Sequence, residues 1–185
     1  MHPSLTFPCA VSQNTAAALT GRSVRTWQRR VEQGLVERLG EGRTLVPFDA
    51  LVPELAVAIA PADLPLLARA DGGDATAQAE LGALLALEAL AGAAGTHAQA
   101  DRGRSAGAAA ALYFLQAGAD QGSADAMHWL ALLHAAGLAG GGNGHEGDGG
   151  KALALMWLAR AAAHGHVIAR AQLAGLVPGD GVLKA

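Results

Sequence analysis

Three stretches of this chain, spaced 49 and 43 residues apart, repeat one grammar around a glycine. They are PLLARADGGDATAQAELGALL around Gly73, FLQAGADQGSADAMHWLALL around Gly122 and WLARAAAHGHVIARAQLAGL around Gly165. In each, a segment ends in small residues and Gly, and a second opens on Ala-rich positions before a leucine. Ala77, Ala126 and Ala169 coincide on this alignment, as do Leu81, Leu130 and Leu173. A period of this size predicts stacked helix pairs, because one unit cannot bury its apolar face alone. Composition agrees: 51% of residues are hydrophobic but only 4% are aromatic, so the interior must be built from Ala, Leu and Val in closely packed helices. Phe114, Trp129 and Trp157 are expected to fill the spaces between layers.

The grammar, A…LG…(Y/W)LxxAAxxG, resembles the SEL-one-like subgroup of tetratricopeptide-type repeats over residues 64–176. It departs from that pattern at an insertion, Gly92 to Gly107, and at a glycine-rich loop, Gly137 to Gly150, so the expected array is two full pairs plus a flanking helix. The resemblance implies a surface that holds a partner protein. With so few repeats, self-association into a homodimer or docking onto the N-terminal region stand beside that role.

The N-terminal region reads differently. Ser12 is placed to cap a helix running to Leu19, Thr20-Gly21-Arg22-Ser23 breaks it, and Ser23 is placed to cap a second helix that Gly34 stops. Val24, Trp27 and Val31 fall on one stripe of that second helix and should pack on the first. The opposite face carries Arg25, Thr26, Arg29 and Gln33, flanked by Arg30 and Gln28. Leu35–Leu39 and Arg43–Pro47 flank Gly40-Glu41-Gly42 and predict a hairpin, after which Asp49 is placed to cap a further helix with Pro53 in its first turn. Residues 1–50 hold six arginines against four acids, whereas the remainder holds seven basic residues against twelve acids. A basic head on an acidic body favours an anionic partner for the head.

The run TAAALTGRSVRTWQRRVEQGLV followed by GRTLVPFDAL resembles the winged-helix DNA-binding unit of the MerR and excisionase families over residues 11–52. It differs at Arg30, where an aromatic residue is usual, and at Arg22, where an aliphatic one is usual, and no heptad helix follows to form the families' dimerising coiled coil. The resemblance implies that Arg25, Thr26, Gln28 and Arg29 occupy contact positions in the major groove and that Arg43 lies on the wing. Ser23, Arg30, Gln33 and Arg38 complete the candidate DNA-contacting set. Guanidinium groups suit phosphate oxygens and the paired acceptors of guanine alike.

The reading is therefore a mainly α chain: a small winged helix-turn-helix head at 10–60, a short α/α solenoid at 61–178 and a tail at 179–185. Its expected partners are double-stranded DNA through the head and a protein, or a second copy, through the repeats, in the cytoplasm. The start MHPSLTFPC has neither a basic leader nor a long apolar core, and prolines and acids interrupt the most apolar stretch, Leu51 to Ala70, so no membrane role is expected. Catalysis has no visible seat, since no GxSxG elbow or paired carboxylates occur, and no cofactor is expected. Gly142-Asn143-Gly144-His145-Glu146-Gly147 spells GxGxxG outside any βαβ context, and Gly149-Gly150-Lys151-Ala152 lacks the hydroxyl residue of a phosphate loop. Five of seven histidines fall between positions 128 and 166, but none has metal-ligand spacing; His164 and His166 bracket the repeat glycine, where capping of a helix C-terminus is expected. The single cysteine, Cys9, is assigned to an unstructured start, its redox role open.

Overall fold

Ser12 has an extended backbone, and its hydroxyl oxygen accepts the Thr15 N–H at 3.2 Å. That bond satisfies one of the donors a helix N-terminus leaves open and starts α1, Gln13–Thr20. Gly21 ends it in the left-handed region at φ 65°, and Ser23 repeats the capping contact to Thr26 N–H to start α2, Val24–Glu32. Past α2, Gly34 adopts φ 69°. There Leu35 N–H reaches back to the Arg30 carbonyl at 2.9 Å and Gly34 N–H to Val31 at 3.1 Å, closing the helix end with paired reverse bonds. These elements belong to a computed structural model that describes residues 9–36, 44–91, 98–139 and 148–176; it is mainly helical, with one two-stranded sheet.

Trp27 anchors the head. It is fully buried with Leu19, Val11 and Val46, and Val24 and Val31 lean on the same cluster. Its indole N–H donates to Thr20 Oγ1 at 3.1 Å, while the Thr20 hydroxyl donates to the Ala16 carbonyl at 2.6 Å, so the polar atom carried inward keeps a partner.

A strand pairing not anticipated from the sequence is present among the described residues. Strand β2, Leu45–Pro47, pairs antiparallel with β1, Ala10–Ser12, in the register Val11 opposite Val46. Leu35 and Val36 form a bend after α2 instead of a strand. This register puts Val11 and Val46, both 0% exposed, into the core. The expected hairpin tip, with Arg38 and Arg43, lies outside the described residues. The helix expected from Asp49 is replaced by two 3-10 turns, Phe48–Ala50 and Val52–Glu54. In a 3-10 turn residues three apart eclipse, so Phe48 and Leu51 both point into the core, and Asp49 makes no capping bond.

Beyond the head the described helices are α3 Leu64–Asp71, α4 Ala75–Ala91, α5 Ala98–Asp120, α6 Ala124–Ala135, α7 Asp148–Ala163 and α8 Val167–Leu176. They join in pairs across Gly73, Gly122 and Gly165, whose φ values of 95°, 90° and 99° favour a residue without Cβ. At each turn the next residue does two things. Asp74, Ser123 and His166 each donate their N–H five residues back, at 3.1, 3.0 and 3.0 Å, closing the earlier helix. Their side chains then accept the N–H of Ala77, Ala126 and Ala169, at 3.0, 3.2 and 3.1 Å, opening the later one. All three alanines are 0% exposed, which explains why they coincide in the alignment. His166 thus caps the start of α8 through Nδ1, not the end of α7 as expected, because the glycine before it has already turned the chain.

Further differences concern length. The described residues hold three helix pairs where two and a flanking helix were expected, since Pro65 in the first turn of α3 starts a short helix before Gly73. Residues 98–107 of the expected insertion are the opening turns of α5, and Gly149 and Gly150 lie in the first turn of α7. Phe114 and Trp157 are buried as expected of spacers, but Trp129 is only half-buried. No helix among the described residues is long and apolar enough to cross a membrane.

The head rests directly on the helical body. The Asp71 carboxylate accepts both the Ser12 N–H at 3.0 Å and the Ser12 hydroxyl at 2.5 Å, and Thr15 meets the Tyr113 hydroxyl at 3.4 Å. Cys9 belongs to this contact, its Sγ 4.0 Å from the Leu64 carbonyl and its own carbonyl accepting the Phe48 N–H at 2.8 Å; it is not in an unstructured start.

Candidate nucleic-acid interface

A helix whose apolar stripe is pinned by Trp27 must present the opposite stripe to solvent. Arg25, Gln28, Arg29 and Gln33 are all exposed there. Arg25 and Arg29 make no ion pair or hydrogen bond among the described residues. Their guanidinium groups are full charges on a rigid, capped support, free to meet an acceptor from outside.

The other candidates divide. Ser23 and Thr26 are occupied with each other: the two hydroxyl oxygens lie 2.9 Å apart, and Ser23 Oγ also accepts the Thr26 N–H at 3.2 Å. Arg30 is half-buried, with its guanidinium carbon 4.8 Å from the Trp27 ring centroid and Nη1 2.6 Å from Glu54 Oε1. Arg22 reaches the other oxygen of the same carboxylate, Nε to Oε2 at 3.0 Å. Hydrogen bonding from Arg30, foremost, and from Arg22 holds the Glu54 carboxyl below its ordinary range. The structure therefore brings Arg25, Gln28, Arg29 and Gln33 together on one open face and draws Arg22 and Arg30 into a clamp. Arg38 and Arg43 lie outside the described residues.

Glu54 is the residue that sequence reasoning missed. It lies 32 residues from Arg22, and no local pattern pairs charges across such a distance. The two arginines themselves were the signal, since cations drawn against the head need a counter-charge.

The remaining chemistry is sparse. Among the described residues no group of three or more His, Cys, Asp or Glu could hold a metal ion. His145, Glu146 and the GxGxxG letters fall outside the described residues. Burial, foremost, with the nearby charges of Asp71 and Asp49, pushes the Cys9 thiol above its ordinary pKa, away from the thiolate a reactive cysteine requires. No family model, curated protein or solved structure matches the chain.

Proposed function

We propose that this chain is a cytosolic DNA-binding regulator, a winged helix-turn-helix head carried on a short array of tetratricopeptide-like helix pairs. The observation that carries the reading is the open pair Arg25 and Arg29 on the solvent face of α2, flanked by Gln28 and Gln33 and backed by buried Trp27. Two unpaired guanidiniums one helical turn apart match the phosphate spacing and base-edge acceptors of a major groove. Ser23 and Thr26 hold the N-terminus of α2 in shape. A single head covers only about 600–1,000 Å² of a duplex, so useful selectivity calls for a second head, supplied by self-association or by a partner of the helical body.

The test is fluorescence anisotropy with genomic fragments across a salt series. Wild-type protein should bind with affinity that falls steeply with salt, and R25A/R29A should reduce the log–log slope by about 2. Wild type without salt-dependent binding refutes the reading. A second reading, a protein-interaction adaptor that does not touch DNA, is favoured by the clamp at Glu54, which leaves two rather than four open arginines on the described part of the head.

A further inference from the structure

The second helices of the first two pairs, α4 and α6, border a groove of about 370 Å³ that His166, at the start of α8, also lines. Along α4 its floor is made of small residues, Ala79 and Ala83, one turn apart. Trp129 forms the α6 wall; it is half-buried, and its indole N–H makes no hydrogen bond among the described residues. Two carboxylates face this space, Glu80 from α4 and Asp125 from α6, both exposed.

The charges are uncompensated. No Lys or Arg lines the groove. Glu80 has no ion-pair partner among the described residues, and Asp125 has only the His166 ring, Nε2 to Oδ1 at 3.4 Å. Opposite-helix carboxylates beside an aromatic face form a receptor for a cation that is flat, delocalised and many-donored. A guanidinium meets all three: it can stack on an aromatic ring and carries several N–H donors for carboxylates, whereas an ammonium supplies a compact point charge. Thr76 and Ser123 add hydroxyls at the rim for a backbone carbonyl. Ser123 Oγ already accepts the Ala126 N–H, which leaves its proton to donate.

We propose that this groove binds an arginine side chain of a partner polypeptide. The proposal deepens the reading of the helical body as an interaction surface and rests on it; DNA binding by α2 is a separate question. Charge complementarity selects the occupant: the residues after position 50 carry seven basic residues against twelve acids, and the groove concentrates that excess around one aromatic ring.

The experiment titrates the full chain with three capped peptides, Gly-Arg-Gly, Gly-Lys-Gly and Gly-citrulline-Gly, by calorimetry, while the Trp129 indole N–H is followed by NMR after assignment with W129F. The arginine peptide should shift the Trp129 signal and bind on the order of tenfold more tightly than the lysine peptide. The citrulline peptide has the same shape without the charge and should not bind. E80Q/D125N should lose arginine binding by at least about tenfold. Its circular dichroism and its Trp27 and Trp157 signals should match wild type, which separates a lost site from a lost fold. Equal binding of citrulline and arginine, or binding unaffected by E80Q/D125N, overturns the proposal while leaving an interaction surface in place. If none of the peptides moves Trp129, the proposal and the interaction reading of this face both fail. Self-association that E80Q/D125N abolishes assigns the groove to arginines of a second copy and overturns the partner proposal.

Discussion

Ala at Gly82 is the substitution whose outcome most directly tests how the body is packed. Gly82 sits inside α4, where Ala is favoured over Gly by about 1 kcal/mol through backbone entropy alone. A Cβ built there would lie 2.6 Å from Leu115 Cγ, 2.7 Å from its Cδ2 and 3.1 Å from its backbone nitrogen. Leu115 is fully buried, and Cγ is the branch point of its side chain, so it cannot swing clear without moving its neighbours. Overpacking of this kind costs typically about 1–3 kcal/mol. The net expectation is a loss of about 0–2 kcal/mol, or up to roughly 8 °C in Tm for a chain of this size. Three other helical glycines grade the effect. At Gly118 the nearest atoms would be 3.3 Å away, at Gly107 they would be 3.6 Å away, and at Gly175 nothing lies within 4 Å. Thermal and urea denaturation followed by far-UV circular dichroism should rank the alanine variants G82A below G118A, G118A below G107A, and G175A at or above wild type. If G82A proves as stable as G175A, α4 does not approach α5 as closely as the structure has it, and the argument that small residues set the helix spacing falls with it.

Other expectations are narrower. Removing the α8 cap with H166A should cost about 1 kcal/mol, and H166N, which keeps an acceptor, should restore most of it in urea melts. Burial, and secondarily the charge of His128 stacked 4.2 Å away, lower the His166 pKa against a smaller opposing pull from Asp125. The folded state therefore binds that proton less readily than the unfolded chain does, so stability is full above the unfolded value near 6.5 and falls as pH drops through it. Burial shifts His134 the same way, so H166N should flatten the Tm–pH curve between neutrality and mild acid in part, and an unchanged curve would refute the assignment. Thr20→Val removes the acceptor of the buried Trp27 N–H and should cost about 1–3 kcal/mol, whereas Thr20→Ser should recover most of that in the same melts. E54Q should alter stability by less than about 1 kcal/mol, because the pairs it weakens are partly solvated. By releasing Arg22 and Arg30 it should tighten DNA binding and steepen its salt dependence if α2 is the reading helix; unchanged anisotropy curves would count against that role.

What the sequence revealed is mostly what is local. Ser12, Ser23 and the glycines at 34, 73, 122 and 165 act through hydrogen bonds spanning five residues or fewer, and Gly21 through its left-handed φ, so their meaning can be read from a short window. The Trp27 stripe was legible for the same reason, being a matter of helical period. What escaped depended on distant partners. The pairing of Leu45–Pro47 with the distant Ala10–Ser12, which buries Val11 and Val46, has no local signal. Glu54 and Asp71 find their partners 24 to 59 residues away. Trp129 has a spacer's position in the repeat grammar, yet it lines a groove between α4 and α6, a juxtaposition that the pattern of residues along either helix does not encode. His166 was misread for a subtler reason: its position is both the end of one helix motif and the cap of the next, and only the Nδ1 contact to Ala169 decides between them.

The same long-range contacts explain why so small a head is ordered at all. A unit of about fifty residues buries too little surface to be comfortably stable by itself. Here Val11, Leu19, Trp27, Phe48, Leu51 and Val57 do not close a core of their own but continue into Leu67 and Ala70 of α3 and on through the body as one cluster. Asp71 reinforces the junction by taking both Ser12 donors, the N–H and the hydroxyl, while Ser12 Oγ goes on accepting from Thr15 at the start of α1. The cap that begins the head's first helix is thus itself held by the last residue of the body's first helix. Because Gly73 turns the chain two residues later, the geometry of that turn and the seating of α1 are set by neighbouring atoms. The orientation of α2, and with it the direction in which Arg25 and Arg29 point, follows from α1, on which α2 packs and which is itself seated on α5 of the body.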